Sequence, residues 1–151
     1  MLIQDQIVIR ADVAQVWELT VDVEVWPAIT PTVTSVERLD DGPLRVGSTA
    51  RIAQPKQGPR TWTVTRLEPG ALFEWETPVS STTMTGRHRL EQVPDGCRNT
   101  LEIELTGRGS RLLGLLARRQ FAKAIRTENQ GFRRAAEVQA DTSPVDEESA
   151  G

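Results

Sequence analysis

The sequence predicts an α+β fold in which a curved antiparallel sheet of six or seven strands wraps around one long C-terminal helix. Three observations carry this prediction. Apolar and polar residues alternate in a series of short runs, turn residues interrupt those runs at short and fairly regular intervals, and after Gly109 the apolar period changes from two to 3.6 and holds until about Val138. Short links between successive runs suit hairpins, which join antiparallel neighbours, and do not suit the longer crossovers of parallel sheets.

The elements follow in order. Ile3, Ile7 and Ile9 alternate with Gln4, Gln6 and Arg10, which marks a first strand over residues 2–10, although Asp5 interrupts its apolar row. Asp12 offers an N-cap or first-turn acid with Gln15 three residues on, and Val13, Val16, Trp17 and Thr20 fall at helical spacing, so a short helix is expected over 12–20. Residues 21–27 read as a second short helical turn and a link, because Pro27 interrupts them and Pro31 holds Thr30 extended. Strands are then predicted over 32–39, 48–54, 60–67, 71–77, 82–92 and 98–106. Each of the first five ends in a Pro, Gly or Asp signal such as Asp40-Asp41-Gly42-Pro43 or Pro94-Asp95-Gly96. The long helix is expected to start between residues 109 and 111 and end near 138. Its apolar stripe is read as Leu112, Leu113, Leu116, Phe121, Ala124, Ile125, Phe132, Ala135 and Ala136. Residues 1–138 thus make one domain, and 139–151, polar and acidic with Pro and Ser, are expected to be a disordered tail.

Composition narrows the function classes. The chain has 151 residues, 38% hydrophobic and 26% charged, with no apolar run long enough to cross a membrane. Its first residues lack the basic start and apolar stretch of a secretory signal, so a cytoplasmic location is expected. One cysteine, Cys97, and one histidine, His88, give no internal disulfide and no zinc-type cluster. No phosphate loop or dinucleotide fingerprint is present, so neither a metal nor a cofactor is expected. The net charge of −3 is unevenly spread. Residues 108–134 hold eight basic side chains against one acid, Glu128. A solvated helix face explains this most simply; no nucleic-acid partner is expected, and peripheral contact with an anionic membrane stays open. The oligomeric state is not written in any pattern of the chain.

The order of strand, two short helices, six strands and long helix resembles the START-related helix-grip superfamily (SRPBCC), in its polyketide cyclase/dehydrase and lipid-transport branch. The resemblance covers residues 2–138. It rests on the run Ile9, Arg10, Ala11, Asp12, Val13, Ala14, Gln15, Val16, Trp17, on Asp22 followed by Val25, Trp26 and Pro27, on Val46 and Gly47, and on Gly86, Arg87, His88, Arg89, Leu90, Glu91. The resemblance implies a deep apolar cavity between sheet and long helix that holds a lipid, polyketide or isoprenoid, as carrier or sensor. The alternative it admits is a cyclase- or dehydratase-type enzyme using His88 and Glu128. Cyclases of this kind commonly place tyrosine and arginine around the substrate, and the absence of any tyrosine here weighs against that activity.

Strand alternation and the helix stripe give the expected lining of such a cavity: Trp62, Val64, Phe73, Trp75, Met84, His88 and Leu90 from the sheet, and Phe121, Ile125, Glu128 and Phe132 from the helix. The same residues would also fill a core with no void. His88 is the one side chain with an ordinary pKa near neutrality, hence a candidate base, ligand contact or structural histidine. Glu128 is an acid in an apolar stripe. It is read as a ligand-facing group, as the partner of an arginine on the sheet, or as exposed by rotation of the helix. Trp17 is assigned to the core, and Trp26 to packing against the sheet end or to a lid. A third class of function, an interaction module docking a membrane or a protein through the basic helix, needs only the surface.

Overall fold

The computed structural model describes residues 1–142. Seven strands form one antiparallel sheet: β1 (Leu2–Ile9), β2 (Ser35–Arg38), β3 (Thr49–Ala53), β4 (Arg60–Glu68), β5 (Leu72–Val79), β6 (Thr82–Val93) and β7 (Gly96–Gly107). Their spatial order is β1-β7-β6-β5-β4-β3-β2. Strands β2 to β7 are therefore a meander, and β1 returns to pair with the last strand, Ile3 opposite Ile103 and Ile9 opposite Cys97. Between β1 and β2 lie helix α1 (Val13–Val21), a single 3₁₀ turn (Val23–Val25) and the short helix α2 (Trp26–Ile29). Helix α3 (Ser110–Thr142) packs on β1 and β7 and touches α1 and α2.

Local chemistry explains these boundaries. Helix α1 begins at Asp12, whose backbone N–H donates to Gln15 Oε1 at 3.3 Å, and Thr20 donates its hydroxyl back to the carbonyl of Val16 at 2.8 Å. Strand β2 is shorter than the 32–39 expected, since Thr32 instead closes a local turn, donating its N–H to the Thr30 hydroxyl. Strand β5 runs through Pro78, tolerated because it stands next to the strand end. Two glycines are set by close approach. Gly96 has φ +137°, and a Cβ there would collide with the carbonyl oxygen of Ile9; a Cβ on Gly131 would lie 2.5 Å from that of Ile29, so α3 crosses α2 at backbone contact.

The sheet separates two chemistries by alternation. Its outer face carries Arg87, which bonds Glu74 and Glu104 at 2.6 Å each and Glu102 at 3.4 Å, with Arg89 on Glu102 at 3.0 Å. The guanidinium holds the Glu74 carboxyl below its ordinary range, against the opposing effect of burial. The inner face carries Ile9, Val64, Phe73, Trp75, Leu90 and Leu105, packed with Val16, Trp26, Phe132 and Ala136 in one core. Asn129 on α3 ties helix to sheet, accepting from Asn99 at 2.8 Å and donating to Asp5 at 2.8 Å.

Helix α3 starts within the expected window, passes Gly114 unbroken and continues to Thr142, four residues beyond the expected end. The rest of the expected acidic tail lies outside the described residues. One part of its stripe is corrected. Leu112 and Leu116 point outward, 63% and 77% exposed, together with Leu115 at 71%. The inward phase is set by Phe121, Ile125, Glu128 and Phe132, and four and seven residues before Phe121 stand Ala117 and Gly114. Gly114 is buried against Met1, and the leucines fall on the opposite side.

Candidate functional site

A cavity of about 110 Å³ lies between the inner face of the sheet and residues 120–128 of α3. Register builds its sheet wall. Trp75 stands opposite Gly86, His88 is flanked by Phe73 on β5 and Leu101 on β7, and Met84 is paired with Leu105. The missing side chain at Gly86 makes room for aromatic rings, since a Cβ there would be 3.3 Å from Trp75 Nε1 and 3.6 Å from the Trp62 ring. Trp62, Trp75 and Met84 wall the cavity from the sheet; Phe121, Ala124, Ile125 and Glu128 wall it from the helix. Gln54, with the exposed Gln57 and Gln120, gives it a polar rim.

Seven of the eleven residues expected to line a cavity do so: Trp62, Trp75, Met84, His88, Phe121, Ile125 and Glu128. Val64, Phe73, Leu90 and Phe132 do not. They point inward as alternation and helical phase require, but into packed core, with Phe73 and Phe132 fully buried. The reason is Trp26. Its indole N–H donates to the carbonyl of Leu19 at 3.1 Å, and this anchor lets the ring enter the interior. There it meets Phe73 at 6.2 Å, Phe132 at 5.7 Å and Trp75 at 5.2 Å between ring centroids. Trp26 divides the space under the sheet into solid core on one side and cavity on the other. It is neither a lid nor packing at the sheet end but the inner wall. Trp17 is half-buried against the core, and Cys97 is fully buried beside β1, where burial raises its thiol pKa.

His88 and Glu128 face each other across the cavity, with Nε2 and Oε1 3.6 Å apart and both side chains largely buried. Among the described residues Glu128 has no arginine partner, so the pairing expected with a sheet arginine is replaced by this contact. Arg87 borders the cavity, but its guanidinium is held on the outer face by three carboxylates. Burial dominates both groups. His88 lies tilted by 33° against Trp26 at 5.1 Å and edge-on to Phe73 and Phe132, and burial pushes its pKa down to about 3. Glu128 is pushed up to about 7. Near neutral pH the imidazole is uncharged, and the carboxyl keeps its proton to a much higher pH than an ordinary glutamic acid does. The Nδ1 atom of His88 is buried without a hydrogen-bond partner among the described residues. The cavity thus contains an apolar shell and one polar pair able to donate, accept or exchange a proton.

Sequence reasoning missed Trp26 as a wall, the glutamine rim and the Asn99–Asn129–Asp5 link. Only the last left a trace, since Asn129 lies four residues from Ile125, close to the helix stripe.

A seven-stranded antiparallel sheet curved around one long C-terminal helix, with short helices after the first strand, defines the helix-grip class of fold. Within it the chain belongs to the polyketide cyclase/dehydrase and lipid transport family, whose sequence model matches residues 2–137. Solved structures share the fold at low identity. The hypothetical protein jhp0584 from Helicobacter pylori superposes with a TM-score of 0.75 at 11% identity, over 90% of this chain and 88% of its own. TTHA0849 from Thermus thermophilus gives 0.72 at 16% identity, over 95% and 100%. The di-domain ARO/CYC StfQ from the steffimycin biosynthetic pathway gives 0.74 at 15% identity; 93% of this chain is covered, but only 51% of that one, so the match spans about half of the di-domain chain. No curated protein matches the sequence.

Proposed function

We propose that the protein binds a small apolar molecule of the lipid, polyketide or isoprenoid kind between sheet and helix, as a carrier or sensor. The observation that carries this reading is the cavity itself, walled by Trp62, Trp75, Met84, Phe121 and Ile125, with His88 and Glu128 facing each other across it and the bordering Arg87 and Glu102 ion-paired to one another. A volume of about 110 Å³ far exceeds what one ordered water occupies and falls below the roughly 300 Å³ at which ligand pockets usually begin. It suits one ring or the end of a chain. The indole N–H of Trp75, bonded to no described residue and directed over Gly86, is available to a ligand acceptor. Membership of a family described by cyclase, dehydrase and lipid-transport activities supports the same class of ligand.

The test combines two measurements on the purified protein. Native mass spectrometry looks for a retained small molecule, and an environment-sensitive apolar dye is titrated in and then displaced with polyketide-like aromatics and long-chain lipids. Dye uptake and displacement are expected; absence of both ends the carrier reading.

A second reading has one specific observation in its favour. His88 and Glu128 have their proton affinities driven apart from their ordinary order by a shared apolar environment, the pattern of an acid–base pair, and this fits a cyclase- or dehydratase-type enzyme. It lacks a tyrosine anywhere in the chain and a free arginine at the cavity. Turnover that Glu128→Gln abolishes while dye binding persists would separate enzyme from carrier.

A further inference from the structure

The outer face at the start of α3 has no counterpart elsewhere on the described surface. Leu112, Leu115 and Leu116 are 63%, 71% and 77% exposed, and at spacings of three and four they form one patch. Single exposed apolar residues are ordinary, but three contiguous leucines call for a partner surface. Around them stand Arg108, Arg111, Arg118 and Arg119, followed on the same helix by Lys123 and Arg126. From residue 108 to residue 127 there is no acid, in a chain whose net charge is −3.

We propose that this face docks on an anionic lipid membrane, with the three leucines entering the headgroup boundary and the arginines binding lipid phosphates. Leucines bracketed by cations on an unpartnered helix face are the composition that lies in such an interface. One other occupant fits less well: a second copy of the chain would set one acid-free basic segment against another. The contact is peripheral, because no helix among the described residues is long and apolar enough to span a bilayer. It is independent of what the cavity holds, yet it has a geometric consequence. Gln120 on the cavity rim is one turn beyond Leu116, so docking brings the mouth to the lipid surface.

The experiment is co-sedimentation of the full chain with vesicles of phosphatidylcholine alone and of phosphatidylcholine mixed with phosphatidylglycerol. Binding is expected to the anionic vesicles only and to weaken as salt is raised. Leu115→Ser with Leu116→Ser, and separately Arg118→Glu with Arg119→Glu, are each expected to reduce partitioning at least about tenfold. All four side chains are exposed or partly exposed, and an unchanged far-ultraviolet spectrum and melting temperature verify folding. No binding to anionic vesicles at low salt, or binding indifferent to both variants, overturns the proposal. So does a wild-type dimer that the leucine variant dissociates in sedimentation equilibrium, which would assign the patch to a second copy.

Discussion

Glu128→Gln separates a buried, largely neutral carboxyl from an exposed or ion-paired one. Burial lifts the Glu128 pKa from its ordinary 4.5 to about 7. A group whose folded-state pKa is raised stabilises the fold fully below its unfolded value and loses that contribution as pH rises through the folded value. Wild-type stability attributable to Glu128 should therefore decline as pH rises from 4.5 through 7, by roughly 3 kcal/mol at about 1.4 kcal/mol per tenfold change in proton affinity. Glutamine is nearly isosteric and cannot ionise, so titrations of groups remote from Glu128 cancel when the two proteins are compared at one pH, and the measurements are made at pH 5 and above, well over the depressed pKa of His88. Urea denaturation at about pH 5 should find the variant within about 1 kcal/mol of wild type, and at about pH 8 more stable by roughly 3 kcal/mol. The sign is unusual for removal of a buried polar partner. His88 works in the opposite direction: its pKa, depressed from 6.5 to about 3, takes stability away as pH falls from 6.5. The wild-type optimum should accordingly lie where the two windows overlap and their opposing slopes offset, near pH 5 to 6. A difference between variant and wild type that is equal at pH 5 and 8 would refute the neutral-carboxyl assignment.

Other consequences can be checked by similar means. Trp26→Ala should cost about 3 to 5 kcal/mol in urea denaturation and join the cavity to the space around Phe73 and Phe132, so that a bulkier apolar dye binds more tightly than to wild type. His88→Phe should leave the melting temperature unchanged or raised, because it removes a buried nitrogen with no partner, while altering which displacing ligands compete with the dye. Asn129→Ala strands the amide of Asn99 and should lower stability by about 1 to 3 kcal/mol without changing dye affinity. In Gly131→Ala the new methyl group meets the Ile29 carbonyl, and a loss of about 1 to 3 kcal/mol is expected from thermal melts.

The sheet was legible in the sequence because its two faces differ so strongly. Arg87 and Arg89 alternate with Gly86, His88 and Leu90, and one residue of slip would drive two guanidinium groups into the core. The start of α3 was equally plain, since Gly107 and Gly109 stop β7 and the period changes at once. Strand β2 was drawn too long for a local reason, the Thr30–Thr32 hydroxyl contact, which competes with strand pairing and leaves no periodic mark. Leu112 and Leu116 were placed inward because hydrophobicity was counted without phase. Carried back from Phe121, the phase selects Gly114 and Ala117, two residues that no hydrophobicity count would choose.

For the site, alternation and helical phase decided which side chains point inward and nothing more. Whether an inward residue meets a void depends on a third element, here the ring of Trp26, delivered by the short helices between β1 and β2 and fixed by a hydrogen bond to Leu19. No local pattern around Phe73 or Phe132 records that ring. The same limit applies to His88 and Glu128. Each was separately assigned an inward direction, but their 3.6 Å separation follows from how far α3 slides along the sheet. That position is set by backbone contact at Gly131 and by the Asn99–Asn129–Asp5 link, four residues of small volume or unexceptional polarity. Asn129 is next to Glu128 in the chain, so the link that registers the helix also fixes the height at which the acid enters the cavity. Shifting the helix by one residue would move Glu128 about 1.5 Å along the axis and rotate it by roughly 100°, enough to remove it from His88 altogether.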